Sequence, residues 1–208
     1  MGTIAVLGIL IAFFSIFNYL GFDFFFDDQG HYDSMMLDDM GVVYSNRSDV
    51  LAFNEGFSTV ADCPWGFVHP GIDYFLRNGS CIIAAAPGRV KSINIIDAGA
   101  SRENRYRVRV DIQFNMTLLV GYNIESWMNE TWQLEAQRGA IIVQPGHWIQ
   151  KGQVIGTFVR AGDGGHVHFD VIEHASHYCP SKYFGAADLA ELLDMVHSFH
   201  PDWALCYA

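Results

Sequence analysis

The sequence predicts a mostly β domain, a compact antiparallel sheet or sandwich, with an apolar helix ahead of it and a helix closing the chain. Three observations lead there: short runs of β-branched residues recurring between residues 81 and 172, the Gly and Pro residues that punctuate them, and one sustained helical period near the C terminus. The 208 residues suit one large domain with appendages. Hydrophobic residues make up 50% and aromatic residues 14%, enough apolar material for a core, which rules out a disordered chain. The formal net charge of −11 repels phosphate backbones, so no nucleic-acid partner is expected.

Residues 1–22 carry no charge, and IAVLGILIAFFSIFNYLGF at 4–22 is long and apolar enough to span a bilayer. The stretch before it has neither Lys nor Arg, and no small-residue cleavage site follows. A retained membrane anchor is therefore favoured over a cleaved secretory signal, and the rest of the chain is expected outside the cytoplasm. Six aspartates, Asp23 to Asp39, precede the first basic residue, Arg47, and residues 23–62 read as an acidic linker and lead-in.

The domain is expected at 63–208. Its strands are CIIAAA at 81–86, RVKSINII at 89–96, RYRVRVDIQF at 105–114 and TLLVGYNI at 117–124, followed by AIIV at 140–143, QVIGTFV at 153–159 and HVHFDVI at 166–172. The closing helix is 186–200, where Leu189, Leu192, Leu193, Val196 and Phe199 fall at helical spacing. The four cysteines form no Cys-x-x-Cys pair. Outside the cytoplasm the local bridges Cys63–Cys81 and Cys179–Cys206 are expected, with four buried thiols as the alternative.

Two spacings carry chemistry. In HVHFD, His166 and His168 lie on one face of a strand with Asp170 next along it, while Val167, Phe169 and Val171 face the core. In HPGID, His69 and Asp73 lie four residues apart across a Pro-Gly turn. Together they offer imidazole nitrogens and a carboxylate oxygen, donors that zinc accepts, three protein ligands with one open position being its catalytic pattern. Alternatively each pair is separately structural.

These residues resemble the lysostaphin-type, LytM-like zinc metallopeptidases, whose motifs are His-x-x-x-Asp and a later His-x-His in a strand. The resemblance extends to HPGIDYFLRNGSCIIAAAPGRV at 69–90 and VQPGHWIQKGQVIG at 143–156, and covers roughly residues 65–172. It implies a LytM-like β fold, zinc held by His69, Asp73 and His168, and His166 as the acid–base group beside the open position. Asp170 would orient a histidine or be a plain strand charge. The implied substrate is a peptide or peptidoglycan-like cross-link.

One position departs from the family. Its active members carry a further histidine in Tyr-x-His-Leu-Ser, where this chain has Tyr122-Asn123-Ile124-Glu125-Ser126. Ile124 is expected in that histidine's place toward the groove, sharing its face with Tyr122, while Glu125 faces the other way. His147 is the substitute if the intervening loop aligns differently. A missing oxyanion donor costs about 100- to 1000-fold in turnover. Three functions stay open: a membrane-anchored zinc endopeptidase, a non-catalytic zinc-containing binding module of the same fold, and a cupin-like metal oxidoreductase built on His166, His168 and Glu173.

Overall fold

The computed structural model describes residues 37–100 and 102–208. The expected anchor at 1–22 and the start of the lead-in lie outside them. Among the described residues no helix is long and apolar enough to cross a membrane. The strands in chain order are β1 (Val50–Ala52), β2 (Phe57–Ser58), β3 (Ile72–Leu76), β4 (Cys81–Ile83), β5 (Gly88–Asp97) and β6 (Tyr106–Gln113). They continue with β7 (Leu118–Met128), β8 (Trp148–Ile149), β9 (Val154–Thr157), β10 (His166–Glu173), β11 (Ser176–Tyr178) and β12 (Cys206–Tyr207). The helices are α1 (Thr131–Gly139) and α2 (Ala186–Phe199).

Alternation builds the main sheet. Ile72, Tyr74 and Leu76 of β3, Val108, Val110 and Ile112 of β6, Val120, Tyr122 and Ile124 of β7, and Val167, Phe169 and Val171 of β10 are all fully buried in the core. The intervening residues form the opposite, polar face. The strand order is β1-β3-β10-β7-β6-β5-β8 with β11 beside β10, and every pairing in this sheet is antiparallel. Two smaller sheets flank it: β4 antiparallel to β9, and β12 parallel to β2. The expected mostly β, antiparallel class is what the chain adopts, with α2 closing it through buried Leu192, Met195 and Val196.

The structure differs from the sequence reading in three places. The described part of the lead-in is built into the domain: Met40, Val43 and Phe53 are fully buried, and Ile83 donates its N–H to Val43 O (2.9 Å). A helix, α1, precedes the expected strand at 140–143, which is reduced to a bridge between Ile141 and Gly156. The helix starts at a capping box formed by Glu130 and Gln133. Finally, Cys63 and Cys81 are free, while Cys179 and Cys206 form the disulfide. Cys81 belongs to β4 and pairs with Thr157 of β9, whereas Cys63 sits in the turn after β2 with its thiol on Phe67 O.

Candidate metal centre and cleft

The polar face of the sheet floors a cleft of about 630 Å³. Register aligns its side chains in a row across four strands: Asp73 on β3 opposes His168 on β10, which opposes Asn123 on β7, which opposes Arg109 on β6. The next row pairs His166 with Glu125.

The structure brings His69, Asp73 and His168 together. His69 Nε2 lies 3.0 Å from His168 Nδ1, His168 Nδ1 lies 2.8 Å from Asp73 Oδ1, and His69 Nε2 lies 3.3 Å from that same oxygen. All three residues are buried, and together they could hold a metal ion. Lone-pair atoms this close repel one another unless a proton or a cation lies between them. The outer nitrogen of His69 donates to Gly56 O (2.7 Å), which fixes the tautomer with Nε2 facing the cluster. Gly71 in the Pro-Gly turn is required by approach: a Cβ there would collide with Phe169 O and the His168 ring.

The lead-in backs both members of the first pair. Asp73 N–H donates to Glu55 O (3.0 Å), and His69 exchanges main-chain hydrogen bonds with Ser58. Burial alone would raise the Asp73 carboxyl, but the charge of His166 and hydrogen bonds from His168 and His69 outweigh it and hold it far below the usual carboxylate range. For His69 burial acts to lower the pKa, and the Asp73 carboxylate beside it reverses the sign. Glu55, also in the cleft, is raised by burial first and by the Asp73 charge second.

His166 stands beside the cluster. Its Nδ1–H donates to Gly164 O (2.7 Å), leaving Nε2 toward the cleft, 3.4 Å from Asp73 Oδ2 and 3.9 Å from Glu125 Oε2. Asp170 is gripped in a two-pronged ion pair by Arg109 (2.9 Å to each oxygen) and lies 3.9 Å from His168 Nε2. Burial acts to raise Asp170, but neighbouring His177 and Arg109 outweigh it and bring its pKa down to about 2. Gly121 makes this grip possible, because a Cβ there would strike both Asp170 and the Arg109 guanidinium.

Four sequence expectations fail here. Ile124 and Tyr122 face the core, and the Tyr122 hydroxyl accepts the Ala85 N–H (2.6 Å). The cleft-facing residue is Glu125, one position on, because opposed residues on paired strands share a face and Glu125 opposes His166. His147 is exposed in the turn before β8, where its Nδ1 accepts the Gln144 N–H, and does not line the cleft. Glu173 bonds Lys182 (2.6 Å) and Tyr183 (2.9 Å), away from the histidines, which removes the cupin-like arrangement. Sequence reasoning missed Asn104, Arg107, Arg109 and Asn123, all in the cleft lining. The signal for three of them was available: Arg107 and Arg109 alternate with the core residues of β6, as Asn123 does on β7.

No protein-family model matches the chain, and no curated protein matches it. Among solved structures, a chain of the SpoIIQ–SpoIIIAH pore-forming complex matches with a TM-score of 0.51 at 14% identity, covering 76% of this chain and 97% of that one. The mostly β, antiparallel fold is shared with that chain. Helicobacter pylori Csd3 matches at 25% identity with a TM-score of 0.47, over 77% of this chain and 38% of that one. A catalytic-domain variant of the prophage-encoded protein EnpA from Enterococcus faecalis matches at 21% identity with a TM-score of 0.45, over 64% of this chain and 92% of that one. This chain spans little more than a third of the Csd3 chain.

Proposed function

We propose that the chain is a zinc-dependent endopeptidase of the cell-wall type that acts outside the cytoplasm on peptide or peptidoglycan-like cross-links. The observation that carries this reading is the convergence of His69 Nε2, Asp73 Oδ1 and His168 Nδ1, 2.8 to 3.3 Å apart on a cleft floor with His166 beside them. Ligand atoms of a tetrahedral zinc with bonds of about 2.0–2.1 Å lie about 3.3 Å apart, so the trio fits that ion after a small relaxation. When bound, zinc supplies a Lewis acid that polarises a peptide carbonyl and activates water.

The remaining work falls to the chain. His166 accepts a proton at Nε2, which faces the carboxylates of Asp73 and Glu125, and the same nitrogen returns the proton to the leaving amine. Asp170, fixed by Arg109, steadies His168. The disulfide Cys179–Cys206 supports an oxidising, extracytoplasmic address, and the apolar run at 4–22 supports attachment to a membrane.

A second reading, a zinc-containing binding module without turnover, is favoured by Glu125, a carboxylate on the strand that in the resembled family bears an assisting histidine. Cleavage of cross-linked cell-wall fragments by the zinc-loaded chain, absent in His166→Ala, supports the peptidase. A zinc-loaded chain that binds such fragments without cutting them supports the module.

A further inference from the structure

Four triplets of the form Asn-x-Ser/Thr occur in the chain, none with Pro in the middle: Asn46-Arg47-Ser48, Asn78-Gly79-Ser80, Asn115-Met116-Thr117 and Asn129-Glu130-Thr131. The chain has nine asparagines, and seventeen of its 208 residues are Ser or Thr, a frequency at which fewer than one such triplet is expected. Their placement is as selective as their number. Asn46 stands before the turn at Arg47–Asp49, Asn78 between β3 and β4, Asn115 in the hairpin loop between β6 and β7, and Asn129 between β7 and α1. Asn46, Asn78 and Asn129 are exposed, and Asn115 is half-buried beside exposed Met116 and Thr117. None of the four lines the cleft, whereas Asn104 and Asn123, which belong to no triplet, are buried in its lining.

The two ends of the amide are used differently in the two groups. Outside the triplets, Asn94, Asn104 and Asn123 donate through Nδ2, to Ser92 Oγ (3.0 Å) and to Glu125 (2.5 and 2.6 Å). Asn46 instead accepts the Ser48 N–H (3.0 Å) and hydroxyl (2.9 Å) at Oδ1, and Asn78 accepts the Arg160 N–H (3.0 Å) at Oδ1. Asn115 Oδ1 accepts the N–H groups of Thr117 (3.0 Å) and Leu118 (2.9 Å). An amide oxygen remains an acceptor when the amide nitrogen is substituted, so a group attached at Nδ2 leaves these turn bonds in place.

We propose that Asn46, Asn78, Asn115 and Asn129 are acceptor sites for N-linked glycans. The co-substrate is a lipid-linked oligosaccharyl diphosphate. Nδ2 gives a proton to a base of the transferring enzyme and attacks C1 of the first sugar. The Nδ2–C1 bond forms, the C1–O bond to the diphosphate breaks, and the lipid diphosphate leaves with that electron pair. Glycans so placed cover outer turns and leave the cleft open. The inference goes beyond the peptidase reading and shares with it only the extracytoplasmic address, which the Cys179–Cys206 disulfide supports.

The test translates the full chain in vitro with endoplasmic-reticulum microsomes, so that its own apolar run at 4–22 carries it across. Protease protection reports entry, and gel mobility before and after endoglycosidase treatment counts the glycans. The protected chain should show four glycosylated steps that collapse to one band on deglycosylation. Each of Asn46→Gln, Asn78→Gln, Asn115→Gln and Asn129→Gln should remove one step. Ser48→Ala, Ser80→Ala, Thr117→Ala and Thr131→Ala should reproduce that loss with the asparagine kept, and Asn94→Gln should remove none. Transfer reads the chain as it enters, so a variant that folds poorly still reports. A site whose two variants both leave the mobility unchanged is refuted. A protected chain without endoglycosidase-sensitive steps overturns the proposal while the address stands, and an unprotected chain overturns the address and the proposal together.

Discussion

The two halves of the cleft floor use the same strand alternation and differ in how their polar groups are satisfied. Around β3 and β10, His69 and His166 anchor through the backbone carbonyls of Gly56 and Gly164, and together with Asp73 and His168 they leave nitrogens and a carboxylate oxygen crowded at one point. On β6, β7 and the loop before β6, Asn104, Arg107 and Asn123 converge on Glu125 and leave single atoms unpaired around it. The first half could hold a cation.

That contrast can be broken at four places. The largest effect is expected at His166: alanine there should leave zinc bound while lowering peptide hydrolysis by about 100- to 10,000-fold, because it removes the proton carrier and no metal donor. Steady-state rates beside metal content check this, and unchanged hydrolysis would shift acid–base work to the Glu125 half.

The disulfide comes next. Cys206 lies in β12, which pairs with Phe57 of β2, next to the Gly56 carbonyl that anchors His69. Cys179→Ser opens a link across a sequence separation of 27, for which loop entropy gives a destabilisation of about 3–4 kcal/mol. Urea unfolding should show that loss together with weaker zinc binding. Unaltered zinc affinity would mean that β2 keeps its place without β12.

A smaller loss, about 2–3 kcal/mol, is expected of Ile124→His, which puts a polar ring into the fully buried core face. Thermal unfolding measures it. A stable variant with faster hydrolysis would return this position to the cleft and undo the register on which the second half depends. The smallest change, about 1–2 kcal/mol, belongs to Gly121→Ala, which displaces Arg109 from Asp170 while leaving the metal donors in place. Unfolding measurements on metal-free protein check it, and an unperturbed stability would show that the Arg109–Asp170 pair re-forms around the new methyl group.

The same contrast explains what was legible in the sequence. His-x-His is insensitive to register, since both imidazoles share a face whichever face that is, and His69-x-x-x-Asp73 is closed by its own turn. Position 124 demanded a parity decision, and a slip of one residue exchanged a core isoleucine for a cleft carboxylate. The long strands were readable because their apolar residues alternate. Helix α1 was not, since it buries only Leu134 and Gln137, and Gln137 is held through hydrogen bonds to Ser126, Thr157 and Val159 that leave no hydrophobic period. The lead-in was opaque for a related reason: Leu37, Met40, Val42, Val43 and Tyr44 are buried along irregular backbone, where no repeat marks them.

Elemental analysis of folded, zinc-equilibrated protein tests the central claim most directly, because it asks whether the β3 and β10 half holds a metal whatever the chain does with it. The wild-type chain should carry one zinc and His168→Ala less than about a tenth of one, since two remaining donors make a poor site. Equal zinc in both proteins, or none in the folded wild-type chain, would contradict the account.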